Sequence, residues 1–378
     1  MRITLASETF FPQVNGVSRT LEQLVAFLNH SGDQVQLLAP CYKQGAPQSA
    51  ALSSMHAYPA WQLPFYREIH LPLCSRKTVQ SHIEQFNPDV VHVATEGPLG
   101  YKALRIAKNM RLPLVTSYHT NFSQYMQCYG AAILSGGLWK YLRWFHNSGE
   151  CTLCPSDSIR EILAEKRFNN LIVWGRGVDC QQFNPDKRSE DIRRELGVEP
   201  GEQLLAYAGR VANEKNLTML IDAFQTLPET VKAKLAIIGD GPIREKLRHR
   251  SDQRILYPGY KHGEELATLY ASCDLFVFPS LTETFGNVML EAMAAGLPVL
   301  AYNVPGPKDV VRHGQTGALV DEVSSPALAD ALLELLAKPH ELAAMATAAR
   351  THAESQTWAA VNNIVRNAYL NTQAKTTS

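Results

Sequence analysis

A chain of 378 residues is long enough for two domains, each with its own core. Its 36 Lys and Arg balance 36 Asp and Glu, and 45% of its residues are apolar, which is ordinary globular composition and excludes a dedicated nucleic-acid binder. No apolar run approaches the roughly 18–20 residues that a membrane-spanning helix needs, and "MRITLASETFF" is broken by Glu8 before a signal-peptide core can form, so a cytoplasmic protein is expected.

The first half alternates short apolar runs with helical periods. "RITLAS" (2–7) reads as a strand and "SRTLEQLVAFLNHSG" (18–32) as an amphipathic helix closed by Gly32. "QVQLLAP", "DVVHVA" (89–94) and "LPLVTSY" (112–118) are further strands. Their lack of polar alternation marks strands buried on both faces, as in a parallel sheet covered by helices. The seven cysteines are scattered, as suits a reducing compartment, and the C-x-x-C of Cys151 and Cys154 lacks a second pair or a nearby His, so it reads as strand. Residues 1–180 hold 16 basic and 12 acidic side chains, a net of +4, against −4 for the remainder. That asymmetry fits a first half that meets an anionic surface, and equally two solvated domains that differ by chance.

A charged stretch at 184–202 reads as a linker with a short helix, after which the alternation resumes. "QLLAYAG" (203–209), "AKLAIIGDG" (233–241), "RILYPGY", "DLFVFPS", "LPVLAY" and "GALV" are strands separated by helices. The expectation is α/β, with two doubly wound Rossmann-like domains: residues 1–183, residues 184–356, and a last helix within 357–378. Tandem domains of this kind turn the carboxyl ends of both sheets toward a shared cleft, where ligands of open α/β sheets bind.

Three loops carry the chemistry. "FFPQVNGVSRT" (10–20) joins a strand to a helix, and Gly16 there would let the backbone approach a phosphate; G-x-G-x-x-G is absent, which disfavours NAD. "GRVANEKN" (209–216) sets Arg210 and Lys215 five apart, able to converge on one anion or simply to face solvent. "ETFGNVMLE" (283–291) places Glu283 before Gly286 and Glu291 two turns inside a helix. Alone the two carboxylates need mean nothing, since Glu is stabilised near any helix start. With a diphosphate against Arg210 and Lys215, Glu283 could accept from sugar hydroxyls and Glu291 from a ribose.

As a set, these motifs resemble family 4 of the retaining glycosyltransferases, which have the GT-B fold. The matching features are E-x(7)-E at Glu283 and Glu291, G-R-x(4)-K at Gly209, Arg210 and Lys215, "GDGP" at 239–242, "EAMAAGLPV" at 291–299 and the early "NGV". "RGVDCQQFNP" (176–185) is similar to the family's N-G-V-D-x-x-x-F-x-P, with Arg176 where Asn is common. The resemblance runs through essentially the whole chain. It implies that Arg210 and Lys215 neutralise the leaving diphosphate, that Glu291 holds the ribose, and that Glu283 meets the donor sugar. Phe285, Gly286 and Asn287 would complete the donor site, Tyr260 would line the base, and His119 would lie near the anomeric carbon. The C-terminal helix would cross back onto the first domain, with Trp358 as a packing residue.

The family chemistry is front-face substitution with retention, and the absence of D-x-D leads to the expectation of no metal and no other cofactor. "PAWQLPFYREIHLPLCSRK" (59–77) and "LWKYLRWF" (138–145) mix aromatic and basic residues as interfacial segments do. "SYHTNFSQYMQCYG" (117–130) resembles the subgroup acting on lipids, namely glycolipid α-mannosyltransferases and diacylglycerol transferases that use UDP-glucose, UDP-glucuronate or UDP-sulfoquinovose. The expected partners are therefore a UDP- or GDP-linked sugar, a lipid acceptor such as diacylglycerol, and an anionic membrane at the inner face of the cytoplasmic membrane; no nucleic acid is expected. The alternatives are a soluble or polysaccharide acceptor, a nucleotide-sugar epimerase, and a non-catalytic nucleotide-sugar-binding protein.

Overall fold

Among the described residues of the first 175, nine strands form: β1 (Arg2–Ala6), β2 (Gln34–Pro40), β3 (Ser54–Tyr58), β4 (Ala60–Leu63), β5 (Tyr66–Pro72), β6 (Val90–Val93), β7 (Leu114–Ser117), β8 (Cys151–Cys154) and β9 (Leu171–Val173). The computed structural model describes every residue except Val14, Lys43, Gln44, Gln48, Pro64, Phe65, 120–134, Thr282, Thr284 and Ser378; of 63, 66–69, 135 and 375–377 it describes the backbone alone. Seven strands make one parallel sheet in the order β3-β2-β1-β6-β7-β8-β9. Six more, β10 (Gln203–Ala208), β11 (Ala233–Ile238), β12 (Ile255–Gly259), β13 (Leu275–Phe278), β14 (Val299–Tyr302) and β15 (Gly317–Val320), make a second parallel sheet, β12-β11-β10-β13-β14-β15. Both halves are thus the doubly wound α/β units that the uninterrupted apolar strands implied.

The chain divides into Met1–Gly175 with Trp358–Ser378, and Arg176–Thr357. The first division falls ahead of the charged stretch at 184. The intervening loop is anchored to the second unit, because the Arg350 guanidinium donates to the carbonyls of Cys180 (3.2 Å) and Phe183 (2.8 Å), and the Phe183 ring joins that unit's core.

The sheet orders locate the ligand-binding ends. In each sheet the winding reverses beside the first strand, between β1 and β6 and between β10 and β13. A crevice opens at that reversal beyond the strands' carboxyl ends. In the first unit it is framed by Ser7–Glu8 and Thr95–Gly97, and in the second by Gly209–Arg210 and the loop that carries Glu283.

The C-terminal helix Trp358–Thr377 buries Val361, Val365, Ala368 and Tyr369 among residues of β1, β2 and the helix Gly16–His30, with Trp358 packed at the margin. Each large apolar side chain removed from water contributes roughly 1.5–3 kcal/mol. Arg366 adds an ion pair to Asp33 at 2.7 Å, and the same buried carboxylate takes the N-terminal ammonium at 2.7 Å.

Beneath this helix lies His92, wholly buried in β6, with Nδ1 2.7 Å from the Tyr369 hydroxyl and Nε2 against the Ser117 hydroxyl. Burial pushes the His92 pKa down to about 3, so the ring stays neutral in the fold. The unfolded chain binds a proton here below about pH 6.5 while the folded chain does not, so stability falls as pH drops from there toward 3. The expected slope from this group is about 1.4 kcal/mol per pH unit. Denaturant unfolding of wild type and His92→Gln between pH 7 and 4 checks it; parallel curves would assign the acid sensitivity elsewhere.

Two smaller readings have clear outcomes. Cys151 and Cys154 are indeed strand residues of β8, neither in a disulfide among the described residues, and burial raises the Cys154 thiol to about 12. The stretch 59–77 forms an antiparallel hairpin, β4 with β5, in which Trp61 stands opposite Leu71. Residues 120–130 of the lipid-subgroup motif lie outside the described residues.

Candidate active site

In the second unit β10 ends at Ala208, and Gly209 turns the chain at φ +148° so that Arg210 faces outward. The turn is built from behind. The buried Tyr207 hydroxyl donates to the Arg210 carbonyl at 3.0 Å. The amides of Gly209 and Val211 donate to the carbonyls of Ile238 (3.0 Å) and Asp240 (2.9 Å). A Cβ on Gly239 would stand inside contact distance of the Gly209 carbonyl, and one on Gly241 would meet the Val211 carbonyl. The "GDG" motif therefore supplies backbone-to-backbone packing that fixes the Arg210 loop.

The structure brings Lys215 and Glu283 together across 68 residues: Lys215 Nζ forms an ion pair with Glu283 Oε1, and both side chains are largely shielded at 19% and 23% exposure. Arg210 does not join them. Its side chain is 68% exposed and lies 3.6 Å from Glu214. The Glu283 backbone is seated by Gly306, where a Cβ would come within 2.5 Å of the Glu283 carbonyl. Gly286, at φ +82°, then starts the helix Asn287–Ala294, and no side chain caps its amides among the described residues. Glu291 is half-buried one turn further in, close enough to the buried Tyr270 hydroxyl to raise that phenol's pKa after desolvation has done most of the work. Tyr260 is 72% exposed with the His262 ring stacked beside it, a platform suited to a planar ligand.

The Phe285 ring lies in the hydrophobic core, so what this residue can offer a ligand is its backbone.

The reversal point of the first unit is built differently. Glu8 closes the N-terminus of the helix Pro98–Met110, with Oε1 accepting from the amides of Leu99 (2.7 Å) and Gly100 (3.0 Å) and Oε2 from the Thr95 hydroxyl. Burial raises the Glu8 carboxyl above its ordinary value, against the opposing pull of these hydrogen bonds. The helix Gly16–His30 is capped too: Asn15 accepts from the Ser18 amide at 2.8 Å and the Ser18 hydroxyl accepts from Asn15 N at 2.9 Å. A helix N-terminus attracts one anion. Here the chain's own side chains fill that role, whereas the helix after Gly286 is left open.

His119 follows β7 and rests edge-on against Trp174, with ring centroids 5.4 Å apart. The Trp174 indole N–H donates to Asn362 of the C-terminal helix at 3.3 Å. Sequence reading named His119 but not its support, because Trp174 and Asn362 are 188 residues apart. It also missed Tyr207, Tyr270 and Gly306, whose only signal is their position behind the recognised loops. Gly16 is open: a Cβ there meets nothing within 4 Å and its φ is not positive. Gly16→Ala should therefore leave the thermal midpoint unchanged while raising donor KM if a ligand approaches that backbone. An unchanged KM would remove Gly16 from the site.

Two family models match the chain: Glycosyltransferase Family 4 over residues 14–182 and Glycosyl transferases group 1 over 188–352. The sulfoquinovosyl transferase SQD2 of Arabidopsis thaliana is 33% identical over 365 residues, covering 94% of this chain and 71% of that protein. A GDP-mannose-dependent alpha-mannosyltransferase of Mycolicibacterium smegmatis is likewise 33% identical, covering 96% and 95%. Among solved structures, Anabaena HepE in complex with UDP-glucose superposes with a TM-score of 0.69 at 20% identity, covering 97% of this chain and 99% of that one. The fold is GT-B, and the chain belongs to glycosyltransferase family 4.

Proposed function

We propose that the protein moves a hexose from a nucleoside diphosphate sugar to a lipid hydroxyl, with retention of anomeric configuration. The observation that carries this reading is the pairing of Lys215 with Glu283 beside the uncapped helix that starts at Asn287. A cation, free helix amides and a carboxylate then lie along one short path, matching a diphosphate followed by sugar hydroxyls. In this reading Lys215 leaves Glu283 for the diphosphate, Arg210 folds in from solvent to share its charge, and Glu283 accepts from the hexose. Glu291 takes the ribose and Tyr260 the base. The departing diphosphate itself draws the proton from the acceptor hydroxyl, so stabilising that leaving group is the protein's main contribution. No metal enters the scheme.

The lipid acceptor is supported by surface chemistry in the first unit. Tyr101 and Trp144 are exposed and lie 5.8 Å apart, with Arg105 and Lys108 on one helix and Lys140 and Arg143 on the other. Aromatic rings amid basic side chains suit the headgroup layer of an anionic bilayer. Trp61 and Leu73, both at the open end of the β4–β5 pair, add exposed apolar surface.

A transfer assay tests the proposal. Labelled UDP-glucose, UDP-glucuronate and GDP-mannose are offered in turn, with diacylglycerol vesicles and excess chelator. Label in the lipid phase, from one donor and lost in Glu283→Ala, is the expected result. Nucleotide release with label remaining in water would assign a soluble acceptor, and inhibition by chelator would overturn the metal-free scheme.

A further inference from the structure

Arg176 is 7% exposed, and no described residue accepts a hydrogen bond from its guanidinium or forms an ion pair with it. Nη1 is fully enclosed without a partner. Arg193 shows how this fold treats a buried arginine when the role is structural. Equally buried, it donates to Asp274 at 2.9 Å and to the carbonyls of Ser272 (2.8 Å) and Glu202 (2.6 Å). At Arg176 burial alone acts, lowering its pKa to about 10 with no carboxylate opposing it. An uncompensated buried charge is strongly unfavourable, and a fold retains one where a ligand completes it.

We propose that Arg176 is an oxyanion receptor whose counter-charge arrives with the substrate. Its planar fork matches two oxygens of a phosphate, carboxylate or sulfonate. Three sources carry that chemistry: the donor's diphosphate, an acidic group on the transferred sugar, and the phosphate of an anionic lipid acceptor. The inference rests on the transferase reading only for the choice of these sources.

The test uses Arg176→Gln and Arg176→Lys beside wild type. Thermal midpoints are measured first, then binding of inorganic pyrophosphate, UDP-glucose and UDP-glucuronate by calorimetry, and association with vesicles of neutral or phosphatidate-containing lipid. Arg176→Gln should keep or raise the thermal midpoint while weakening one of these anions about 10- to 100-fold, the range of a lost charge-assisted contact. Weaker pyrophosphate and UDP-glucose together identify the diphosphate. Weaker UDP-glucuronate alone identifies an acidic sugar, and loss confined to phosphatidate vesicles identifies the acceptor. Arg176→Lys, which keeps the charge without the fork, should retain part of the lost affinity and serves as the variant if Arg176→Gln does not fold. Unchanged binding of every probe in the variants that fold, with a lowered midpoint, would overturn the proposal and make Arg176 structural. Since binding is read without turnover, failure of sugar transfer would not disguise either result.

Discussion

Lys215→Met is expected to lower kcat/KM for the donor by about 10²–10³-fold, the scale on which loss of one preorganised donor to a developing oxyanion is felt. Two consequences add in the same direction. The leaving diphosphate loses a cation, and the Glu283 carboxylate, no longer paired, faces the incoming phosphates with uncompensated negative charge. Arg210→Met should cost less, about tenfold, because Arg210 is solvent-facing and must be drawn in by the ligand. The pair also predicts non-additivity: Lys215→Met with Glu283→Ala should be less damaging than the product of the two single changes, since each removes the other's partner. Steady-state kinetics on the four proteins, with thermal midpoints to exclude unfolding, decide this. Strict additivity would mean that Lys215 and Glu283 act on the substrate independently.

Gly239→Ala should be more damaging than its size suggests. The position has φ +138°, which an L side chain rarely adopts, and the added methyl would collide with the Gly209 carbonyl behind Arg210. Left-handed backbone alone costs roughly 1–2 kcal/mol in a residue with a Cβ, and overpacking adds about 1–3 kcal/mol. Calorimetry should show the midpoint falling by about 2–4 °C per kcal/mol lost. Donor kcat/KM should fall about 100-fold even well below that midpoint, because the Arg210 turn moves. For the thermal midpoint alone, Gly16→Ala is the control, an equal change of side chain at an open position without strain. A Gly239→Ala protein as stable and active as wild type would show that "GDG" does not buttress the donor loop.

The fold was legible because parallel strands covered on both faces write themselves as uninterrupted apolar runs: β7, β8, β13 and β14 are buried at every position. The three chemical loops were legible because glycine marks the turns that carry them. What sequence could not give were pairings across distance. Lys215 was read with its neighbour Arg210, as two cations on one phosphate, yet its partner in the structure is Glu283, which meets it only because β10 and β13 are adjacent. Glu8 was read as a charge that interrupts a leader; its function as an internal anion at a helix start depends on β1 lying beside β6.

These two pairings also carry the central claim, that the second unit's open helix start, and not the first unit's filled one, receives the diphosphate. The most direct measurement is a crystal structure with whichever of UDP or GDP binds more tightly. Both phosphates are expected against the backbone amides of Gly286, Asn287 and Val288, with Lys215 Nζ on a phosphate oxygen. A nucleotide ordered solely against the first unit, with Lys215 and Glu283 still paired and away from it, would contradict it.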